Sequence, residues 1–269
     1  MSQYVLSSAQ HIGSRESQQD VCALRQGPDG RDWCLALVCD GMGGLLLGEQ
    51  AARTAVQMFL EGWEDRDKDE GVPAALERAT RYANSAVMNL STNAGIPGAA
   101  GTTLLGVFVE GEKLHWTSVG DSGLFLLRGG SIRQLNTPHV YASILDERCR
   151  RGEISLEQAL GDPQRAALTS YIGGFEVREI DICPEPLVLE PGDRVVLASD
   201  GLFKTLSLEQ IAEALESADG SAAEGLVRST IDAHQMHQDN ITVVTVQLAT
   251  GAPARQSLAK RWMAGLFGR

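Results

Sequence analysis

Four times along this chain, an apolar run fit for a core strand meets a single aspartate. LALVCDGMGG reaches Asp40, WTSVGDSG reaches Asp121, VVLASDGL reaches Asp200, and HQDNITVVTV sets out from Asp239. One Asp-Gly needs no more than a turn to explain it. Four aspartates abutting core strands constrain the fold, because strand ends of one sheet layer converge on one rim and carboxylates gathered there repel unless something neutralises them. A hard divalent cation does so. Magnesium and manganese favour carboxylate, carbonyl and water oxygens, and no Cys or His has the spacing to compete. Gly41, beside Asp40, has no side chain to keep its own carbonyl from approaching such an ion.

The rest of the pattern says what carries these strand ends. Hydrophobic runs predict strands over Trp33–Cys39, Thr103–Glu110, Lys113–Val119, Gly123–Arg128, Arg194–Ala198 and Ile241–Leu248. Apolar residues at helical spacing predict helices over Glu49–Trp63, Val72–Leu90, Leu208–Glu216 and Ala222–Ala233. VEGEK and LRGGS are short glycine-bearing links between strand-like runs, the mark of hairpins and antiparallel pairing. The blocks do not alternate as strict βαβ units. Sheets packed face to face, with helices outside, use every piece. Asn136–Glu176, long and marked by Pro and Gly, reads as a mobile insertion rather than core.

Composition closes off several function classes. The 35 acidic against 23 basic residues leave a formal charge of −12, which disfavours adhesion of the body of the protein to nucleic acid or to an anionic membrane. No apolar run approaches the ~20 residues that span a bilayer, and the N-terminus lacks a basic stretch followed by an apolar core. The five cysteines, an odd count without CxxC spacing, argue against a disulfide framework or a structural zinc site and for a reducing cytoplasm.

In chain order, ESQQD, DGMGG, AAGTTLLGVFV, VGDSGLFLL, VVLASDGL and DNITVVTV resemble the motif series of the metal-dependent type 2C serine/threonine protein phosphatases. The resemblance spans roughly residues 7–248. It implies an α+β fold: a four-layer αββα sandwich, two central antiparallel sheets flanked by helices, within a catalytic domain over residues 1–250 that includes a flap-like insertion at 136–176. It also implies a centre of two tightly bound Mn2+ or Mg2+ ions. By motif match Asp40 bridges the two ions, Gly41 offers its carbonyl to one, Asp200 and Asp239 bind the other, and Asp20 holds metal-bound waters. Asp121, with Asp200, takes the place of a third, weaker ion. Arg15, five residues before Asp20, matches the phosphate-binding arginine.

The implied reaction is hydrolysis of phosphoserine and phosphothreonine on proteins by a metal-activated water, reversing a cognate Ser/Thr kinase, in a monomeric cytoplasmic enzyme. The alternative on the same fold is a non-catalytic module that binds phosphoproteins; degenerate members of that kind usually lose a metal-binding aspartate, and all are present here. A nuclease or phosphodiesterase would want a basic groove that the charge balance does not promise. Met42 stands where many eukaryotic members carry a histidine proposed as general acid, so a protonated water would serve the leaving group. Gln18 stands where Asn is usual and Gly123 where Arg often follows GDS.

Other residues read more plainly. His234 and His237 fit a surface or packing role, Cys39 a small buried hydrophobe, and Met58, Phe59 and Trp63 a helix's core face. The tail over residues 251–269 holds Arg255, Lys260, Arg261 and Arg269 with no acid, and Leu258, Trp262, Leu266 and Phe267 on one helical face. Such a segment suits peripheral docking on a membrane surface or a partner, or else a helix folded against the domain or a frayed end.

Overall fold

A computed structural model of the protein describes residues 4–27, 32–42, 44–217 and 221–248. The basic tail at 251–269 and Gly43 lie outside the described residues. In chain order the elements are β1 (Tyr4–His11), β2 (Asp20–Gln26), β3 (Trp33–Asp40), α1 (Gly48–Glu64), α2 (Val72–Asn93), β4 (Leu104–Glu110), β5 (Lys113–Val119), β6 (Gly123–Arg128), β7 (Ser131–Gln134), α3 (Tyr141–Arg150), α4 (Leu156–Gly161), β8 (Asp181–Ile182), β9 (Leu187–Val188), β10 (Arg194–Ala198), α5 (Asp200–Phe203), α6 (Leu208–Glu216), α7 (Ala222–Asp232) and β11 (Ile241–Leu248).

Two antiparallel sheets result, one ordered β1-β11-β10-β6-β7 and the other β2-β3-β4-β5-β8, with β9 also on β5. The middle strands are apolar at nearly every position because both of their faces are covered. On β3, Cys34, Ala36 and Val38 point into the core between the sheets, where they join Leu105, Val107, Leu124, Leu126, Val195, Leu197, Val244 and Val246. The alternate residues Leu35, Leu37 and Cys39 face the opposite way, onto α1 and α2. Those two helices approach closely through small residues, Ala51, Ala52 and Ala55 on one and Ala75, Ala79 and Ala83 on the other, with Phe59 and Trp63 filling the space above the sheet. On the far side Phe125, Val196, Ala198 and Val243 pack beneath Leu202, Ile211, Leu215 and Leu226 of α5, α6 and α7. The order of layers is therefore helices, sheet, sheet, helices.

All six expected strands form, four of them with the expected bounds, and the four expected helices form within a few residues of theirs. Two readings need correction. Asp200 does not simply close a strand but opens the one-turn helix α5. The segment 136–176 is no loose insertion: it folds α3 and α4, the latter with a capping box between Ser155 and Gln158. Its two ends are also tied into the body. Ile172 is fully buried in the core beside α2 and exchanges two backbone hydrogen bonds with Thr102. Asn136, also buried, donates to the Ser118 hydroxyl and the Ser122 carbonyl. No helix among the described residues is long and apolar enough to cross a membrane.

Candidate active site

The strand register brings the aspartates together. Asp20, the first residue of β2, lies directly opposite Asp40, the last residue of β3. In the other sheet Ala198 pairs with Gly123 on one side and Val243 on the other, so the residues just beyond these positions, Asp200, Asp121 and Asp239, share the same edge of the sandwich. Asp40 feels all four of the others: burial raises its pKa well above the usual carboxylate range, and the charges of Asp20, Asp200, Asp121 and Asp239 raise it further. Asp20 is pushed up to about 6, by burial first and by the charge of Asp200, against a hydrogen bond from Ser199 that stabilises the ionised form. Asp121 also rises to about 6, by burial and then by Asp200, with Lys204 pulling the other way.

Each carboxylate has a distinct environment. Asp20 is 3% exposed; its Oδ2 accepts from the Ser199 hydroxyl at 2.7 Å and its Oδ1, buried, has no partner. Asp200, 7% exposed, shows the same division, since Oδ2 accepts from the Lys204 ammonium while Oδ1 is buried and unpartnered. Asp239 has both oxygens engaged, Oδ2 by Arg15 at 2.8 Å and Oδ1 by the Asn240 backbone N–H at 2.8 Å. Two buried orphan oxygens among mutually repelling carboxylates amount to a demand for positive charge. The donor set, carboxylates with the Gly41 carbonyl beside them, fits a hard divalent cation. It is not a closed shell: among the described residues, no three or more His, Cys, Asp or Glu side chains stand in metal-holding geometry.

Backbone and hydroxyl contacts fix the frame. Asp40 donates its N–H to Thr103 Oγ1 at 2.9 Å, its carbonyl accepts from Thr102 Oγ1 at 2.8 Å, and Thr103 Oγ1 in turn lies 2.7 Å from Ser122 Oγ, beside Asp121. A Cβ on Gly41 would sit 2.4 Å from the Gly48 carbonyl oxygen and 2.7 Å from that of Gln19, so only glycine fits there. Asn240 holds the Asp239 loop to the segment that carries Arg15: its Nδ2 donates to the carbonyls of Ile12 and Ser17, and its Oδ1 accepts from Gln19 N–H. Arg15 thus reaches the site, at its exposed rim.

All seven residues singled out in the sequence, Arg15, Asp20, Asp40, Gly41, Asp121, Asp200 and Asp239, belong to this one edge. Sequence reasoning missed Lys204, Ser199, Asn240 and the Thr102–Thr103 pair. Lys204 had a visible signal, four residues after Asp200 in a stretch able to make a helical turn; the hydroxyls and Asn240 act through contacts distant in sequence and had none. His234 and His237 lie exposed, outside this constellation.

Comparison with known proteins places this fold in a family. The sequence pattern of the family described as Protein phosphatase 2C matches residues 8–220. The chain is 30% identical over 221 residues to the protein phosphatase PhpP of Streptococcus pneumoniae, covering 80% of this chain and 85% of that one. It is 31% identical over 216 residues to the serine/threonine protein phosphatase PstP of Mycobacterium tuberculosis, covering 80% of this chain and 40% of that longer one. A crystal structure of the catalytic domain of a PstP, in complex with two manganese ions, superimposes with a TM-score of 0.70 at 27% identity, over 91% of this chain and 98% of that chain. With its sandwich, its rim of aspartates and a family match over most of its length, the chain belongs to the protein phosphatase 2C family of serine/threonine protein phosphatases, whose members use divalent metals.

Proposed function

We propose that the chain hydrolyses phosphoserine and phosphothreonine monoesters on proteins by direct attack of water at phosphorus, with two divalent cations at the aspartate rim, and that it reverses a cognate Ser/Thr kinase. The observation that carries this reading is the pair of buried, unpartnered oxygens on Asp20 and Asp200, set among carboxylates that repel one another. Asp40, Asp200, Asp239 and the Gly41 carbonyl would hold the cations, and Asp20 would act through waters. When bound, two such cations supply an acidified water and neutralise the phosphoryl oxygens. Manganese or magnesium suits the all-oxygen donor set.

The chain's own residues do the rest. Ser199 orients Asp20 through its hydroxyl, leaving the second oxygen free to hold a water. Arg15, its side chain 54% exposed, binds the phosphate through two N–H groups once its guanidinium leaves Asp239. Met42 has no proton to give: a Cβ on Gly101 would lie 2.6 Å from its sulfur, so its side chain packs on that backbone. The proton for the departing serine or threonine oxygen therefore comes from solvent. The protein acts as a monomer in the cytoplasm, and the basic tail, outside the described residues, docks it to a membrane surface or partner.

The deciding experiment is hydrolysis of p-nitrophenyl phosphate and of a phosphothreonine peptide by the purified protein, with manganese, after chelation, and after manganese is restored. Turnover that disappears with chelator and returns with manganese is expected. Tight binding of the phosphopeptide without turnover under any metal would replace this reading with that of a phosphoprotein-binding module.

A further inference from the structure

We propose that the ammonium of Lys204 is a built-in counter-cation for the Asp121–Asp200 pair, so that this side of the site takes its positive charge from the protein rather than from a third divalent ion. The inference rests on the two-cation reading above and goes beyond it by limiting how many ions the rim accepts.

The geometry begins with α5. This single turn starts at Asp200, and Lys204 follows its last residue with its N–H bonded to the Asp200 carbonyl at 2.9 Å. One helical turn places side chains four residues apart on the same face, and here the Lys204 Nζ donates to Asp200 Oδ2. The side chain is 56% exposed, so the ammonium reaches in from the solvent side, whereas the carboxylate it meets is almost wholly buried. Asp121 stands at the same edge, because the β6–β10 register puts Gly123 opposite Ala198, with Asp121 and Asp200 just beyond them.

Asp200 is thereby divided between two positive charges. Its Oδ1, buried and without a partner, remains for the cation shared with Asp40. Its Oδ2 is already taken. A divalent ion shared by Asp121 and Asp200 would have to displace the ammonium or sit beside it, and like charges held that close repel strongly even near a protein surface. An ion held by two carboxylates and otherwise by water has little to offset that repulsion. The tight pair around Asp40 meets the same repulsion but has more protein ligands to offset it, Asp40, Asp239 and the Gly41 carbonyl as well as Asp200 Oδ1.

The test is a count of bound manganese, by the loss of the free-ion electron paramagnetic resonance signal and by calorimetric titration, on the wild-type protein, Lys204→Met, Lys204→Gln and Lys204→Arg, each checked for cooperative melting. The expected result is two ions in the wild type and in Lys204→Arg. Lys204→Met and Lys204→Gln gain a third, weaker ion, bound at least about tenfold more tightly than any third ion in the wild type, and the further change Asp121→Ala removes it. A third ion of equal affinity in wild type and variants, or only two ions in a folded Lys204→Met or Lys204→Gln, overturns the proposal while leaving the two-cation reading intact. A wild-type protein that binds no manganese and hydrolyses no p-nitrophenyl phosphate overturns both.

Discussion

Arg15 and Asp239, 224 residues apart in the chain, are joined by a hydrogen bond of 2.8 Å from Nη2 to Oδ2. The pair is half open to solvent, at 54% and 34% side-chain exposure, and such pairs contribute about 0–1 kcal/mol. The bond therefore parks the guanidinium beside the site without locking it there. A phosphate, offering two oxygens to a planar fork, displaces one carboxylate oxygen readily.

Arg15→Ala should accordingly raise KM for a phosphopeptide by about tenfold or more, the worth of a hydrogen bond to a charged group, and change kcat less. The contact serves ground state and transition state alike. Arg15→Lys should recover part of the loss, since a point charge cannot reproduce the fork. Steady-state kinetics decide, and an unaltered KM in the alanine variant removes Arg15 from the site.

Asp40→Asn and Asp200→Asn should each lower kcat by more than about tenfold, beyond ~1.4 kcal/mol of transition-state stabilisation, without unfolding the protein. Removing a charge from a rim of repelling carboxylates relieves strain in the metal-free state, so the melting temperature after chelation should hold or rise. Kinetics with manganese and calorimetry with chelator check the two halves separately. A variant retaining more than a tenth of wild-type turnover would contradict the assignment.

The raised pKa values predict how the chelated protein responds to pH. Asp20 ionises near 3.8 when unfolded and near 6 when folded, so between these values the folded state holds the proton that the unfolded state has lost. With more protons on the native side, the Asp20 contribution to stability falls as pH rises through that window and levels off above about 6, while Asp40, raised further still, continues the decline at higher pH. Asp121, raised to about 6 in the same way, adds to the slope. Thermal melts with chelator from pH 4 to pH 7.5 should show a shallower dependence in Asp20→Asn than in wild type. Equal slopes would mean that Asp20 is already ionised throughout, and manganese should raise the melting temperature more at pH 7.5 than at pH 5.

What the sequence revealed about this fold follows from how local each signal is. Strands such as Leu104–Glu110 were legible because two covered faces make them continuously apolar, and α1 and α2 because their alanine-rich faces recur at helical spacing. The edge strand β1 was not, because YVLSSAQH carries serines whose place is set by a partner far away: Ser7 Oγ lies 2.6 Å from Thr245 Oγ1. The aspartates were legible as a set because each interrupts an apolar run. Lys204 and Ser199 were not, because each gains its role from a carboxylate supplied by the folded rim.

Gly41 and Gly44 stand in one glycine-rich stretch and should respond differently to alanine. A methyl at Gly41 meets two backbone carbonyl oxygens, at 2.4 and 2.7 Å, neither of which can rotate away, whereas a methyl at Gly44 meets nothing within 4 Å. Gly41→Ala should cost on the order of 1–3 kcal/mol as an overpacked buried site and displace the carbonyl assigned to the cation, with loss of activity. Gly44→Ala should leave the melting temperature within about 2 °C. Parallel melts and assays of the two variants test the pair, and equal tolerance would mean that the turn after β3 adjusts freely.

Asn136, at the start of the segment that carries α3 and α4, links it to the turn that presents Asp121. Its Oδ1 accepts from Leu124 N–H at 2.8 Å, and its Nδ2 donates to Ser118 Oγ at 2.9 Å and to the Ser122 carbonyl at 2.8 Å, all buried. Ser122 also meets Thr103, which holds the Asp40 backbone, so one amide side chain closes a path between the two aspartates. Asn136→Ala strands at least two buried polar groups, at about 1–3 kcal/mol each, and in a chain of this size should lower the melting temperature by roughly 5–10 °C. Because the freed turn carries Asp121 rather than Asp20 or Asp40, both manganese ions should remain bound well below the melting point. Gln134→Ala, which removes one longer hydrogen bond to Asn136 Oδ1 (3.2 Å) and leaves the three buried ones in place, should change neither quantity. If Asn136→Ala melts like wild type, the amide network does not brace this turn.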